Sequence, residues 1–271
     1  MPELPEVETS RRGISPHILK QTVTRVVIRQ KQLRWPIPNR LKTELINQRI
    51  EAVERRGKYL LLRTSAGTVI IHLGMSGSLH IVDDTLPAEK HDHFDICFSH
   101  QKTLRLRDPR RFGAVLWTKT DPLKHKLIKD LGPEPLDTAF TAEHLYKSSR
   151  NRKIAVKTFI MNSKVVVGVG NIYASESLFL AGINPKRQAG NISLARYQKL
   201  FDSIQSVLSL AIEQGGTTLR DFTHHDGKPG YFQQTLNVYG RKDLACFHCK
   251  QPIKHIVQQQ RSSFYCSTCQ H

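Results

Sequence analysis

The residues able to do chemistry lie near the two ends of this 271-residue chain. Near the C-terminus, Cys246-x2-Cys249-x16-Cys266-x2-Cys269 has the spacing of a four-thiolate zinc site. Each CxxC turn brings two sulfurs to one face of a tetrahedral ion, and two such turns on neighbouring hairpins complete the shell. Four ligands leave no open position, so the expected Zn2+ is a single structural ion. Between the two pairs runs QQQRSSFYC, with Arg261 near the tip of the expected hairpin. That residue reads equally as a solvated arginine or as a side chain reaching a phosphate. Cys97, inside a strand pattern, reads as a buried hydrophobe.

The other end reads MPELPEVETS. Met1 precedes a small residue, so its removal is expected, leaving Pro2 with a free secondary amine. An unperturbed terminal amine titrates near about pH 8, so a useful fraction is neutral and nucleophilic. Attack of a secondary amine on a sugar C1′ gives a cationic iminium, the equivalent of a lysine Schiff base. Glu3 is adjacent and Glu6 lies one helical turn on, where carboxylates could hold, protonate or deprotonate the reacting sugar. The same three residues are also ordinary helix-start chemistry, and taken alone they favour that reading.

The charge balance narrows the partner. The chain carries 41 Lys+Arg against 23 Asp+Glu, a net charge of +18, and such a field draws in polyanions. Residues 101–111 hold five basic side chains against one acid, and 147–157 hold five against none. They flank the Pro-bearing stretch 131–137, where a groove between domains would lie, and suit contacts that track a nucleic-acid backbone. The acidic, proline-bearing start is unlike a signal peptide, and no apolar run is long enough to span a bilayer. A cytosolic protein without a membrane partner is expected, and a reducing compartment favours metal over disulfides for the cysteines.

These groups need a scaffold. Segments 22–30, 57–64, 68–82, 93–99, 102–108 and 113–119 are rich in β-branched and aromatic residues, and predict an antiparallel β-sandwich. After residue 137 the period becomes helical. Leu194, Tyr197, Leu200, Phe201, Ile204, Val207, Leu208, Ala211 and Ile212 form a core stripe, with Ser193 placed to cap its start and Gly215 its end. In VVVGVGNIYASESLFLAGINP (165–185), Gly168 and Gly170 allow close backbone approach, Asn171 is placed as an N-cap, and Gly182 and Pro185 end a helix whose N-terminus suits phosphate. Tyr173 stands where a dinucleotide fingerprint needs its third glycine, and no GxxxxGK[ST] loop occurs, so no nucleotide cofactor is expected. Residues 216–236 read as a long polar loop of the kind that often carries function.

Read together, PELPEVETSRRG (2–13), HLGMSGSL (72–79), DPRRFG (108–113), LGPEPL (131–136), VGVGNIYASESLF (167–179), GGTTLRDF (215–222), DGKPGYF (226–232), VYGR (238–241) and QRSSFYC (260–266) resemble the formamidopyrimidine-DNA glycosylase family, also called Fpg or MutM, over the whole length. The sister family, endonuclease VIII, shares the layout but prefers oxidised pyrimidines and typically has Gly in place of Leu4. The resemblance implies an N-terminal catalytic β-sandwich with an N-terminal helix (1–135), a helical domain with a helix–two-turn–helix and lesion loop (136–236), and a β-hairpin zinc finger (237–271). It implies an enzyme that excises oxidised purines from double-stranded damaged DNA and then nicks the strand; a monomer is the default expectation. By resemblance, Pro2 is the nucleophile, Glu3 the general acid/base, Lys58 the lysine of β-elimination near the scissile phosphate, and Arg261 that of δ-elimination. Met75, Arg110 and Phe112 would fill the gap left by the flipped nucleotide. His91, Arg110 and Arg152 match DNA-contact positions, with Asn171 and Lys157 as further phosphate contacts, and the 216–224 loop would close over the damaged base. The sequence departs from the family at Asn162 and Ser163, where an acid and an amide are often seen, and at Arg152, where lysine is common. Two rivals are a non-catalytic zinc-ribbon DNA-binding protein, which would not need a free proline, and an enzyme of endonuclease VIII specificity.

Overall fold

Alternation of apolar and polar residues, with turn residues between, builds eight of the ten strands among the described residues into the N-terminal half. The computed structural model describes residues 2–215 and 236–271. They separate into one unit containing residues 2–129 and a second containing Asp130–Glu213 and 236–271.

The first unit begins with helix α1 (Leu4–Ile18) and strand β1 (Val23–Ile28), then a one-turn helix α2 (Leu41–Glu44). Strands β2 (Ala52–Arg56), β3 (Tyr59–Thr64), β4 (Gly67–His72), β5 (Ser78–Asp83), β6 (Asp92–Phe98), β7 (Lys102–Arg107) and β8 (Ala114–Thr118) follow. They form two four-stranded sheets of order β1-β6-β7-β5 and β2-β3-β4-β8, every pair antiparallel. Apolar side chains of both sheets, among them Leu60, Leu62, Val69, Ile71, Phe94, Ile96, Leu104 and Leu106, share one core. This is the expected sandwich. The chain changes sheets at two turns, 73–77 and 108–113, so the segment 68–82 is two strands rather than one. Gly74 makes the first turn possible: its φ is +65°, and a Cβ there would come within 2.4 Å of the Phe112 carbonyl carbon. Helix α1 packs against β2, β3, β5 and β7, and so touches both sheets.

The second unit holds α3 (Ala142–Ser149), α4 (Val156–Ile160), α5 (Asn171–Leu180) and α6 (Leu194–Glu213). Most of the stripe predicted for α6 is its buried face, with Tyr197, Leu200, Ile204, Leu208 and Ala211 closed in one core with Phe159, Ile172 and Leu178; Leu194, at the exposed first turn, is 42% exposed and falls outside it. Ser193 Oγ accepts the Arg196 N–H at its start. The hairpin of β9 (Lys254–Gln258) and β10 (Arg261–Tyr265) closes the chain. Gln259 and Gln260 turn it with φ of 44° and 61°, both central residues left-handed as a tight two-residue hairpin requires. No helix among the described residues is long and apolar enough to cross a membrane.

Candidate active site and metal centre

Pro2 is buried directly before Glu3, the N-cap of α1. A reciprocal capping box holds this start: the Glu3 carboxylate accepts the Glu6 N–H, and the Glu6 carboxylate accepts the Glu3 N–H at 2.8 Å. Glu6 therefore fixes the backbone that presents Pro2 and Glu3.

Two turns of the same unit are braced to this helix or to each other. Lys58 sits half-buried in the two-residue turn between β2 and β3, after Gly57 at φ +58°. Arg55 donates to the Gly57 carbonyl at 3.1 Å and to the Glu8 carboxylate of α1 at 3.1 Å. Glu8 thus links the Pro2–Glu3 helix to the Lys58 turn. Burial pushes the Glu8 carboxyl up, but hydrogen bonds from Arg11 and Arg12 and the charge of Arg55 outweigh it and hold the group at about 2. An unfolded glutamate binds its proton more readily, so this contribution is complete above about pH 4.5 and is lost as the pH falls towards 2. Glu8→Gln is expected to lower stability at pH 7 by roughly 2–3 kcal/mol in urea unfolding, with the gap to the parent closing in acid. An unchanged gap at pH 3 would show that the carboxylate charge is not what stabilises.

His72 ends β4. Burial pushes its imidazole down, the charges of Lys58 and Arg34 add to the effect, and the ring reaches about 4. It is therefore neutral at physiological pH, and its Nδ1 accepts the Gly74 N–H at 3.0 Å. That bond steadies the turn whose next residue is Met75, 37% exposed. Arg110 and Phe112, the latter 51% exposed, stand on the neighbouring turn. Arg110 Nη2 donates to the Met75 carbonyl at 2.9 Å. His91 is half-buried, its carbonyl accepting the Asp108 N–H.

In the second unit, Arg152 is exposed and donates to the Ser148 carbonyl. Arg261 is exposed at the start of β10, beside the hairpin turn. Two expectations change here. Gly170, not Asn171, is the N-cap of α5; the Asn171 side chain instead accepts from Lys157 Nζ at 2.7 Å and donates to Tyr239. Lys157 is 1% exposed, and its ammonium also donates to the Ser262 carbonyl and Ser263 Oγ at 2.7 and 2.8 Å. A buried ammonium surrounded by protein acceptors is an internal tie from α4 to α5 and β10, not a surface phosphate contact. The basic runs likewise contain structural members. Arg105 is buried against Asp95 and Asp92, and Arg150 stacks on Tyr146 while donating to three backbone carbonyls. The 216–224 loop lies outside the described residues.

Three acids escape a reading of the sequence: Glu8, Asp108 and Glu176. Glu176, on α5, accepts the backbone N–H groups of Asn237, Val238 and Tyr239 at 2.8 to 2.9 Å, fixing the segment that leads into the finger. A lone acid in the apolar run YASESLFL, or the one acid in the basic run 101–111, is the available signal.

The sulfurs of Cys246, Cys249, Cys266 and Cys269 all lie within 4.8 Å of one another. The pairs Cys246–Cys269 and Cys249–Cys266 are 3.9 and 3.3 Å apart, close to the edge of about 3.8 Å that a tetrahedron with metal–sulfur bonds of about 2.3 Å requires. The four residues fit a metal ion. Cys97 is buried in β6, as expected.

A sandwich headed by a helix that begins Pro-Glu, a helical unit, and a four-thiolate hairpin together define one class of protein, a multidomain α+β architecture. The comparisons with known proteins give the class its family. The formamidopyrimidine-DNA glycosylase N-terminal domain matches residues 1–115 and the H2TH domain of the same family matches 131–223. The chain is 60% identical, over the full length of both, to the formamidopyrimidine-DNA glycosylase of Stutzerimonas stutzeri (strain A1501), and 57% identical, again over full length, to that of Pseudomonas aeruginosa (strain LESB58). Among solved structures it is similar to the MutM (Fpg) protein of Thermus thermophilus, with TM-score 0.89, 35% identity and coverage of 99% and 98% of the two chains. It is also similar to Lactococcus lactis Fpg in complex with abasic-site DNA, with TM-score 0.92, 32% identity and full coverage of both. The chain belongs to the formamidopyrimidine-DNA glycosylase family.

Proposed function

We propose that the protein is a bifunctional DNA glycosylase and AP lyase of base excision repair, acting in the cytoplasm on oxidised purines such as 8-oxoguanine and formamidopyrimidines in duplex DNA. The reading rests above all on Pro2 followed by Glu3 and Glu6 in a rigid capping box at the start of α1. Related solved structures support the substrate: a MutM complex holds DNA containing carbocyclic 8-oxo-G, and Lactococcus lactis Fpg complexes hold abasic-site DNA and DNA containing N7-benzyl-Fapy-dG.

The basic surface engages the duplex, and the lesion leaves the stack. Met75 and Phe112 fill the vacated space, with Arg110 facing the orphan base and His91 and Arg152 on phosphates. The Pro2 nitrogen bonds to C1′ as the glycosidic C–N bond breaks, and the base departs with the electron pair and a proton. Glu3 acts as acid and base at the sugar, protonating O4′ as the C1′–O4′ bond opens and the ring nitrogen's lone pair forms the C1′=N bond. The resulting iminium acidifies C2′–H; loss of that proton expels the 3′ phosphate, and a second elimination expels the 5′ phosphate, leaving a one-nucleotide gap. Lys58 serves the first elimination and Arg261 the second, each beside a phosphate. A zinc ion held by the four cysteines fixes the hairpin that carries Arg261.

Borohydride reduction on an 8-oxoguanine duplex, followed by mass spectrometry of the adduct, tests the reading. The sugar is expected on Pro2. Attachment elsewhere, or no adduct, would favour a DNA-binding protein without this chemistry. Faster excision of thymine glycol than of 8-oxoguanine opposite cytosine would shift the substrate class to oxidised pyrimidines.

A further inference from the structure

Asp108 is the single acid in the basic run 101–111, and it is 0% exposed. Its surroundings join the two turns at which the chain changes sheets. Oδ1 accepts the Ser76 hydroxyl at 2.9 Å, on the first turn. Oδ2 accepts the Gly113 N–H at 2.7 Å, on the second. Ser76 Oγ in turn accepts the Arg110 N–H at 3.3 Å. The backbone of Asp108 is held as firmly: its N–H donates to the His91 carbonyl at 3.0 Å, and its carbonyl accepts the Arg111 N–H at 3.1 Å and the His93 ring N–H at 3.0 Å.

The packing around this carboxylate leaves no slack. A Cβ on Gly113 would come within 2.9 Å of Asp108 Oδ2 and of the His72 carbonyl, and one on Gly74 within 2.5 Å of the Gly113 nitrogen. Two exposed turns, bearing two apolar side chains and an arginine that face outward, thus meet over one buried, fully engaged carboxylate. A buried carboxylate is retained at such a place only when several donors satisfy it, and removing one leaves the rest badly compensated.

We infer that Asp108 is a positioning residue for base extrusion: its carboxylate locks the 73–77 and 108–113 turns into one rigid body, so that Met75, Arg110 and Phe112 enter the DNA stack as a single preassembled wedge. The inference deepens the proposed function and rests on its assignment of those three residues. Apolar wedges recover part of the unstacking cost only if they arrive in register with the vacated space, and a displacement of the order of 1 Å at such a position costs on the order of 100-fold. Asp108 touches neither sugar nor base.

The test compares two substrates. In one, 8-oxoguanine is paired with cytosine and must be extruded. In the other, a preformed abasic site lies in a one-nucleotide bulge, with no base to displace and no orphan base to face. Asp108→Asn puts an amide where two N–H or O–H donors converge, and is expected to slow single-turnover excision from the paired duplex by at least about tenfold. Borohydride trapping on the bulged abasic site is expected to fall by no more than about threefold. Ser76→Ala, which keeps the buried charge and removes one donor, is expected to give the same split at smaller size. Stopped-flow fluorescence of 2-aminopurine next to the lesion should slow with excision. If both variants lower the two reactions equally, or neither lowers excision, Asp108 only maintains the fold and the inference fails. Met75→Ala and Phe112→Ala probe the underlying assignment. If they produce the split and the Asp108 and Ser76 variants do not, only the inference falls; if they leave excision from the paired duplex unchanged, the wedge assignment falls with it.

Discussion

A Pro2→Gly chain is expected to lose the borohydride-trapped adduct, by at least about 100-fold in yield, while its affinity for lesion-containing duplex stays within about threefold. The ring nitrogen makes the difference. A secondary amine that condenses with C1′ gives an iminium that is cationic at every pH, whereas the imine from a primary amine must first be protonated to become an electron sink. Glycine also lacks the pyrrolidine ring that fixes the nitrogen about its N–Cα bond, so the amine is no longer held in one orientation before the Glu3 cap. Binding draws on the +18 net charge, which the substitution leaves in place. Trapping gels and fluorescence anisotropy at one fixed salt concentration measure the two quantities. Trapping at the parental level would remove Pro2 from its role, and so would full strand nicking by a chain that retains Met1.

Cys249→Ser is expected to release the metal and to weaken DNA binding by at least about tenfold. The finger shares a small apolar core with Phe179 of α5: Val238, Cys246, Ile253 and Cys266, with Phe264 packed against them. A cluster of that size cannot fold a hairpin unaided, and metal binding supplies the missing free energy, on the order of 10 kcal/mol for such sites. With one thiolate gone, the β9–β10 hairpin loses the constraint that holds Arg261, and Lys157 loses the ordered Ser262 and Ser263 acceptors. Zinc content by atomic emission and DNA affinity by anisotropy are the readouts, and chelation of the parent protein should reproduce the variant. Full zinc occupancy in the variant would show that the ligand set is misassigned.

Much of this architecture is visible in the residues themselves. The CxxC pairs fix the metal centre because thiolate spacing is a local property. The α6 stripe and most strands follow from periodicity. Strand β2 escapes it because Glu54, Arg55 and Arg56 on a half-buried strand break the apolar alternation. The fusion of β4 with β5 has a different cause: HLGMSGS carries no proline or Asn-Gly signal, and only the φ of Gly74 and its approach to Phe112 reveal the turn. The polar residues follow the same division. Lys157 looks like any basic residue of a charge run until its acceptors on β10, more than a hundred positions away in sequence, are known. Asp108 and Glu176 share that property, since each owes its importance to partners brought near by the tertiary fold, whereas Glu8 has local partners in Arg11 and Arg12 and only Arg55 from afar.

Helix α1 has a second consequence. It packs on β2 and β5, one outer strand of each sheet, and outer strands with unpaired backbone groups are templates for association with other chains. The helix that follows Pro2, the proposed nucleophile, therefore also guards against self-assembly. Proteolytic loss of the first eighteen residues would bare two sheet margins at once, so a molecule stripped of Pro2 would tend to precipitate and be cleared instead of lingering as an inert competitor on DNA.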